Sequence, residues 1–179
     1  MITEYETKIL EINVDEIIAK LESLGAKKIN EKEQKRFVYN FTPKKENSWV
    51  RLRTDGKTTT LTIKEIQNDQ IDGTKEIEIK VNDFEKTNLL LEKLGYTYNG
   101  YQENKRLSYV LNKVEVEIDF WPLIPPYLEV EGKSAKEVEK IIKLLGFEMS
   151  QTTSINTIKV YKKYGIDLES SKELKFKNK

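Results

Sequence analysis

The chain has 179 residues, 31 basic and 30 acidic side chains, and neither histidine nor cysteine. Its length suits one compact domain, its well-spread aromatic and aliphatic residues argue against disorder, and a net charge of +1 gives no overall attraction to nucleic acid or an anionic membrane. Serine-type triads, thiolate nucleophiles, disulfides and imidazole or thiolate metal sites are excluded, so any chemistry must run on carboxylates, Lys, Arg, Tyr, Ser and Thr, with a hard oxygen-preferring cation as the natural cofactor.

Residues 3–12 alternate in polarity and predict a strand. Val14, Ile17, Ile18, Leu21 and Leu24 then recur at helical spacing, with Asn13 placed as N-cap and Gly25 as a left-handed stop, so 14–24 is predicted helical. Strands are expected over 35–41, 49–54 and 58–67, with Asp55-Gly56 as a tight hairpin between the last two. A turn at Asp72-Gly73 precedes a strand over 75–81, and a second helix over 84–94 is capped by Asp83 and stopped by Gly95. Strands over 103–111 and 114–121 flank a turn at Asn112-Lys113. Pro122, Pro125 and Pro126 then form a rigid connection to a strand over 127–131. A third helix, carried by Val138, Ile141, Ile142 and Leu145, follows the N-cap Ser134 and ends at Gly146. The domain is expected to span 1–166, with the lysine-rich 167–179 as a frayed, solvated tail. With no apolar run of about 18 residues and no signal-peptide core at the start, a soluble, cytoplasmic protein is expected.

The chain also resembles itself. Glutamate-rich strands at Glu4-Tyr5-Glu6-Thr7-Lys8, Glu76-Ile77-Glu78-Ile79-Lys80 and Glu129-Val130-Glu131 each lead into a helix that stops at Leu-Gly. Arg36 follows Gly25 at the distance at which Arg106 follows Gly95, which points to two halves built on a shared strand-helix-strand plan.

Successive strand residues face opposite sides, so parity sorts every run. Glu4, Glu6 and Lys8 share a face, as do Arg51 and Arg53, Thr60, Thr62 and Lys64, Glu76, Glu78 and Lys80, Glu115, Glu117 and Asp119, and Glu129 and Glu131; apolar residues hold the other face. A half-solvated sheet is the ordinary explanation of one such strand. Eight strands whose polar faces carry almost only ions are enough to close a barrel around a charged lumen. Such a lumen is costly unless its charges pair or bind something.

In this order the motifs Glu4-x-Glu6-x-Lys8, Arg51-x-Arg53, Leu61-Thr62-Ile63-Lys64, Glu76-x-Glu78, Lys105-Arg106, Glu117-x-Asp119 and Glu129-x-Glu131-Gly132 resemble the CYTH domain superfamily, the triphosphate tunnel metalloenzymes, and within it the class IV adenylate cyclase-like branch. The likeness runs from about residue 3 to 164. It implies an α+β fold, a closed eight-stranded antiparallel β-barrel with helices packed outside, holding a triphosphate with Mg²⁺ or Mn²⁺. It also implies that Lys8, Arg51, Arg53, Lys64, Lys80 and Arg106 bind phosphate, Lys8, Arg53 and Lys64 acting in catalysis. Glu4, Glu6, Glu76, Glu78, Glu117, Asp119, Glu129 and Glu131 are the implied metal ligands, some of them indirect. The chain lacks the N-terminal His-Phe motif of the best-known bacterial cyclases of that branch.

The expected activity is conversion of ATP to 3′,5′-cyclic AMP and pyrophosphate. Its rivals are hydrolysis of tripolyphosphate, thiamine triphosphate or a nucleoside triphosphate, and a binding module without turnover. No nucleic-acid or membrane partner is expected, and a homodimer is expected by family analogy alone. Tyr39, Tyr101, Tyr109, Trp49 and Trp121 are candidates for stacking on an organic group, with packing as the ordinary alternative.

Overall fold

Strand parity translates directly into a closed wall in the computed structural model, which describes residues 1–168 and 170–177. Eight strands, β1 (Ile2–Ile9), β2 (Lys27–Tyr39), β3 (Ser48–Thr54), β4 (Thr59–Ile66), β5 (Thr74–Val81), β6 (Tyr98–Leu111), β7 (Val114–Phe120) and β8 (Tyr127–Gly132), pair antiparallel in the order β2-β3-β4-β5-β1-β8-β7-β6. β2 pairs again with β6 from Lys27↔Val110 to Tyr39↔Tyr98, which closes the barrel. The fold is α+β.

Helices α1 (Val14–Ser23) and α3 (Ala135–Leu145) pack on the outer face of β1 and β6 to β8, burying Ile17, Leu21, Val138, Ile141 and Ile142 against Val116, Ile118, Leu128 and Val130. Each such side chain contributes roughly 1.5–3 kcal/mol by leaving water. α2 (Phe84–Lys93) covers β2 and β3 through Phe84 and Leu91 against Tyr39, Val50 and Leu52. The predicted caps hold: Asn13, Asp83 and Ser134 accept hydrogen bonds from the backbone N–H groups of Glu16, Lys86 and Glu137, and Gly25, Gly95 and Gly146 adopt φ of 75°, 91° and 93°.

Several expectations need correction. β2 and β6 begin well before the predicted 35 and 103, while β1 stops at Ile9 rather than at residue 12. Apart from Ile29 the early half of β2 carries charged or polar side chains on both faces, and β6 opens with Tyr98-Asn99-Gly100-Tyr101, so no apolar alternation marked either. The 167–179 segment does not simply fray: a short β9 (Glu173–Leu174) pairs in parallel with β6 along the edge that β7 does not reach, and Leu168 and Leu174 are buried. Glu169, Asn178 and Lys179, part of the predicted tail, lie outside the described residues. An unpredicted helix, α4 (Thr157–Lys163), buries Val160 and Tyr161 against Trp121, Tyr127 and Leu168 at one end of the barrel. Finally, the apolar face of β5 is not covered by a helix, so Ile77 and Ile79 are exposed.

The internal resemblance is a pseudo-two-fold. Gln34 pairs with Asn104, Lys32 with Arg106 and Arg36 with Gln102, so the swap that sends Gln34 to Asn104 sends Arg36 to Arg106 and leaves the β2–β6 pairing unchanged. The same swap turns the Lys64↔Glu76 and Thr62↔Glu78 pairs of β4–β5 into the Glu131↔Glu6 and Glu129↔Lys8 pairs of β8–β1. Glu6, not Glu4, is therefore the counterpart of Glu76, two residues out of the register suggested by motif likeness. α3 has no counterpart after β4, which is why the third glutamate-helix segment breaks the pattern and why β5 stays bare.

Candidate active site

The inward parity of all eight strands meets in a cavity of about 700 Å³ lined by Glu4, Glu6, Lys8, Arg36, Arg51, Arg53, Lys64, Glu76, Glu78, Arg106, Glu117, Glu129 and Glu131, among others. Of the predicted site residues Asp119 is fully buried behind Arg106, while Lys80 is exposed beyond the lining. Lys80 has the inward parity but sits at the end of β5, where the strand passes the cavity rim.

Charge is distributed by strand. β2 and β3 bring Arg36, Arg51 and Arg53 to one wall. Arg51 Nη2 lies 3.4 Å from Glu78 and 3.7 Å from Glu76, Arg53 Nη2 lies 3.5 Å from Glu78, and Thr62 donates to the same Glu78 carboxylate at 2.8 Å. Mutual repulsion with Arg51, then burial, brings the Arg53 guanidinium down to about 10. Two glutamates, of which Glu76 is shared with Lys64, face three arginines, which leaves that wall with cationic capacity to spare.

The opposite wall, from β1, β7 and β8, is acidic. Lys8, almost fully buried, lies 3.1 Å from Glu6 and 3.0 Å from Glu129; Lys64 reaches across to Glu4 at 2.7 Å and Glu76 at 3.1 Å. Arg106 donates its Nε to Asp119 at 2.8 Å and also pairs with Glu129 at 3.0 Å and with Glu117. Against the cost of burial, Lys8 and Arg106 hold the Glu129 carboxyl well below its ordinary range. Glu131 has the opposite fate: burial, then the charges of Glu4, Glu6 and Glu129, push it up to about 8. Glu4 rises to about 7, chiefly through burial, with Lys64 opposing. Around Glu131, acids outnumber the cations that could neutralise them.

This sorts the eight expected metal ligands. Glu76 and Glu78 belong to the basic wall, and Glu117 and Asp119 are taken up by Arg106, whereas Glu4, Glu6, Glu129 and Glu131 crowd together on β1 and β8. In the present arrangement no three carboxylates among the described residues converge as a metal-holding group. The all-oxygen donor set and its unneutralised charge nonetheless fit a hard divalent cation.

Sequence reasoning missed Arg36, Gln34 and Asn104 as site residues, although the spacing that makes Arg36 the counterpart of Arg106 was visible. Of the five aromatics, Trp49 and Trp121 line the cavity, Tyr109 reaches it from the outer core, Tyr39 is buried under α2, and Tyr101 packs with Phe37.

A family model for the CYTH domain matches residues 3–164. The chain belongs to the CYTH domain family. Among solved structures, the PH1012 protein of Pyrococcus horikoshii OT3 shares 26% identity with this CYTH domain over 87% of this chain and 98% of its own, with a TM-score of 0.74. A provisionally named adenylate cyclase from Vibrio parahaemolyticus shares 10% identity over 90% and 98% of the two chains at a TM-score of 0.76. HpAC1 from Hippeastrum, a provisionally named adenylyl cyclase described as having a dominant triphosphatase activity, shares 13% over 95% and 99% at 0.61. The last two likenesses are of fold. No curated protein matches the sequence. Among the described residues no helix is long and apolar enough to cross a membrane.

Proposed function

We propose that the tunnel binds a triphosphate with Mg²⁺ or Mn²⁺ and cleaves one of its phosphoanhydride bonds. The observation that carries this reading is the opposition of an arginine-rich wall and a carboxylate-rich wall across one cavity. Arg51, Arg53, Lys64, Lys8 and Arg106 would engage phosphate oxygens, exchanging their present carboxylate partners for the substrate. The arginines offer forked donors and the lysines point charges. Glu4, Glu6, Glu129 and Glu131 would hold the metal, which when bound supplies charge neutralisation between phosphate oxygens and the acidic wall.

Phosphoryl transfer needs little covalent work from protein, mainly in-line placement and neutralised charge. In hydrolysis, water oxygen attacks the terminal phosphorus, the bond to the bridging oxygen breaks, and that oxygen leaves with the remaining phosphates against the basic wall. The proton lost by water passes to a carboxylate of the acidic wall. Hydrolysis is favoured because the lining offers cationic partners for phosphate on five of the eight strands, β1 to β4 and β6. The cyclase reading, in which the ribose 3′-oxygen attacks the α-phosphorus, its proton passes to a carboxylate of the acidic wall and pyrophosphate departs against Arg51, Arg53 and Arg106, has one specific support: Trp49 lines the cavity, and an indole there could stack on a base.

Incubation with Mg-ATP, Mn-ATP and tripolyphosphate, followed by product chromatography, tests both. Orthophosphate without cyclic AMP is the expected result, cyclic AMP with pyrophosphate would establish the cyclase, and unchanged substrates that still raise the melting temperature would reduce the tunnel to a binding module.

A further inference from the structure

We propose that Arg36 is a phosphate-binding residue of the tunnel, a buried guanidinium that gains its counter-ion only when an anionic ligand enters; the inference rests on the reading of the cavity as a triphosphate site. Arg36 lies on β2 directly opposite Arg53, is only 6% exposed, and lines the cavity. Its Nη2 donates to Gln34 Oε1 at 3.3 Å and to Asn104 Oδ1, its Cζ lies 4.6 Å from the centroid of the Trp121 ring, and its Nε has no hydrogen-bond partner. Those contacts fix the guanidinium without neutralising it. Among the described residues no carboxylate lies within ion-pair distance of Arg36; it is buried, Arg51, Arg53 and Arg106 all repel it, and the opposing attraction comes from Asp119, which Arg106 already engages.

The pseudo-two-fold supplies the control within the same molecule. Arg106 occupies the equivalent place on β6 and is matched by Glu117, Asp119 and Glu129. The positions that swap with Glu117 and Asp119 are Arg51 and Arg53, so the half that holds Arg36 has cations where the other half has anions. A buried charge left without a partner costs several kcal/mol, so a purely architectural role for Arg36 would be served better by an uncharged residue. Three clustered guanidiniums, of which Arg51 and Arg53 share Glu78, Arg51 also reaches Glu76 and Arg36 pairs with neither, instead suit a ligand of several negative charges. The Trp121 indole Nε1 beside Arg36, buried without a partner, adds a neutral donor to that corner.

The test uses the full chain and tripolyphosphate, titrated calorimetrically in EDTA to prevent turnover, with parent, Arg36→Met and Arg36→Lys. The parent binds, Arg36→Met loses at least about tenfold in affinity, and Arg36→Lys, which keeps the charge but not the fork, recovers part of it. Melting of the ligand-free proteins separates this from a packing role: Arg36→Met melts no lower than the parent, while the rise in melting temperature produced by tripolyphosphate shrinks. Unchanged tripolyphosphate affinity in Arg36→Met overturns the inference alone. If Arg36→Met does not fold, Arg36→Lys carries the test, and an affinity within about twofold of the parent overturns it. A parent that binds tripolyphosphate neither in EDTA nor with Mg²⁺ present overturns the triphosphate reading together with it.

Discussion

Arg106→Met is the substitution whose consequence can be worked furthest. It removes a side chain only 16% exposed that serves Glu117, Asp119 and Glu129 at once. Afterwards Glu129 keeps Lys8, Asp119 keeps the Asn104 amide at 3.1 Å and Glu117 keeps the Ser108 hydroxyl at 3.1 Å, but among the described residues the first has lost one of two cations and the other two their only ion pair. Deleting one partner of a buried ion pair costs about 3–5 kcal/mol because the remaining charge is stranded. At about 2–4 °C per kcal/mol for a chain of this size, the melting temperature should fall by roughly 6–20 °C. The penalty belongs to the orphaned carboxylates, so removing one of them should help. Glu117→Gln in the Arg106→Met background should regain about 1–2 kcal/mol, a coupling opposite in sign to two independent losses. Thermal and urea unfolding followed by circular dichroism would measure both. If Arg106→Met melts within about 2 °C of the parent, or if the double variant is no more stable than the single, the lumen charges are not desolvated as argued.

Outside the lumen, Asp55 closes the β3–β4 hairpin by accepting hydrogen bonds from the backbone N–H groups of Lys57 and Thr58 at 2.9 and 2.7 Å and pairs with Lys32 at 2.8 Å; against a desolvation cost, these hold its carboxyl down at about 2. Its stabilising contribution is therefore complete above the ordinary aspartate value of 3.8 and is lost as pH falls through about 2, and Asp55→Ala should cost about 1–3 kcal/mol at pH 7 but less in urea melts at pH 2. Ile142→Ala, at a fully buried position, should cost about 2–5 kcal/mol, whereas Ile77→Ser on the bare face of β5 should stay within about 0.5 kcal/mol in the same assay; equal effects would refute the asymmetric helix layer. Leu174→Ser should release β9 and speed hydrogen exchange at the Tyr101 amide, which donates to Lys172 at 2.9 Å; unchanged protection would mean that the tail is held elsewhere.

Legibility in the sequence followed physical asymmetry. Where one face of a strand meets helices and the other meets the lumen, as along Trp49 to Thr54, the alternation of Val50 and Leu52 with Arg51 and Arg53 fixes strand, register and site at once. Where neither face meets an apolar layer, as along the first half of β2, Lys and Glu occupy both parities and the strand is invisible until its partner β6 is known. α4 has seven residues, too few for periodicity to decide, and its burial depends on Trp121 and Tyr127, which are remote in sequence. The tail looked solvated because its lysines outnumber the two leucines that anchor it. Arg36 was hidden for a different reason. Its significance lies in a missing partner, and only coordinates show which carboxylates fail to reach a given cation.

The pseudo-two-fold also explains how a nearly neutral chain makes a directional site. The swap pairs Arg51 with Glu117, Arg53 with Asp119 and Lys64 with Glu131, while the pair at the axis, Gln34 and Asn104, is uncharged. Had both halves kept the same charges, the lumen would carry the same excess of cations, or of anions, on both sides. It would then bind a counter-ion without orienting it and would carry the full self-repulsion of its lining. Opposite signs at equivalent positions let much of the lining neutralise itself across the cavity through pairs such as Lys64 and Glu4. They also leave cationic capacity on one side, at Arg36 and Arg53, and anionic excess on the other, at Glu131. A ligand of separated charge, such as the proposed polyphosphate with its cation, would fit that asymmetry in a single orientation, and orientation is what the proposed in-line transfer would demand of a protein that contributes no covalent chemistry.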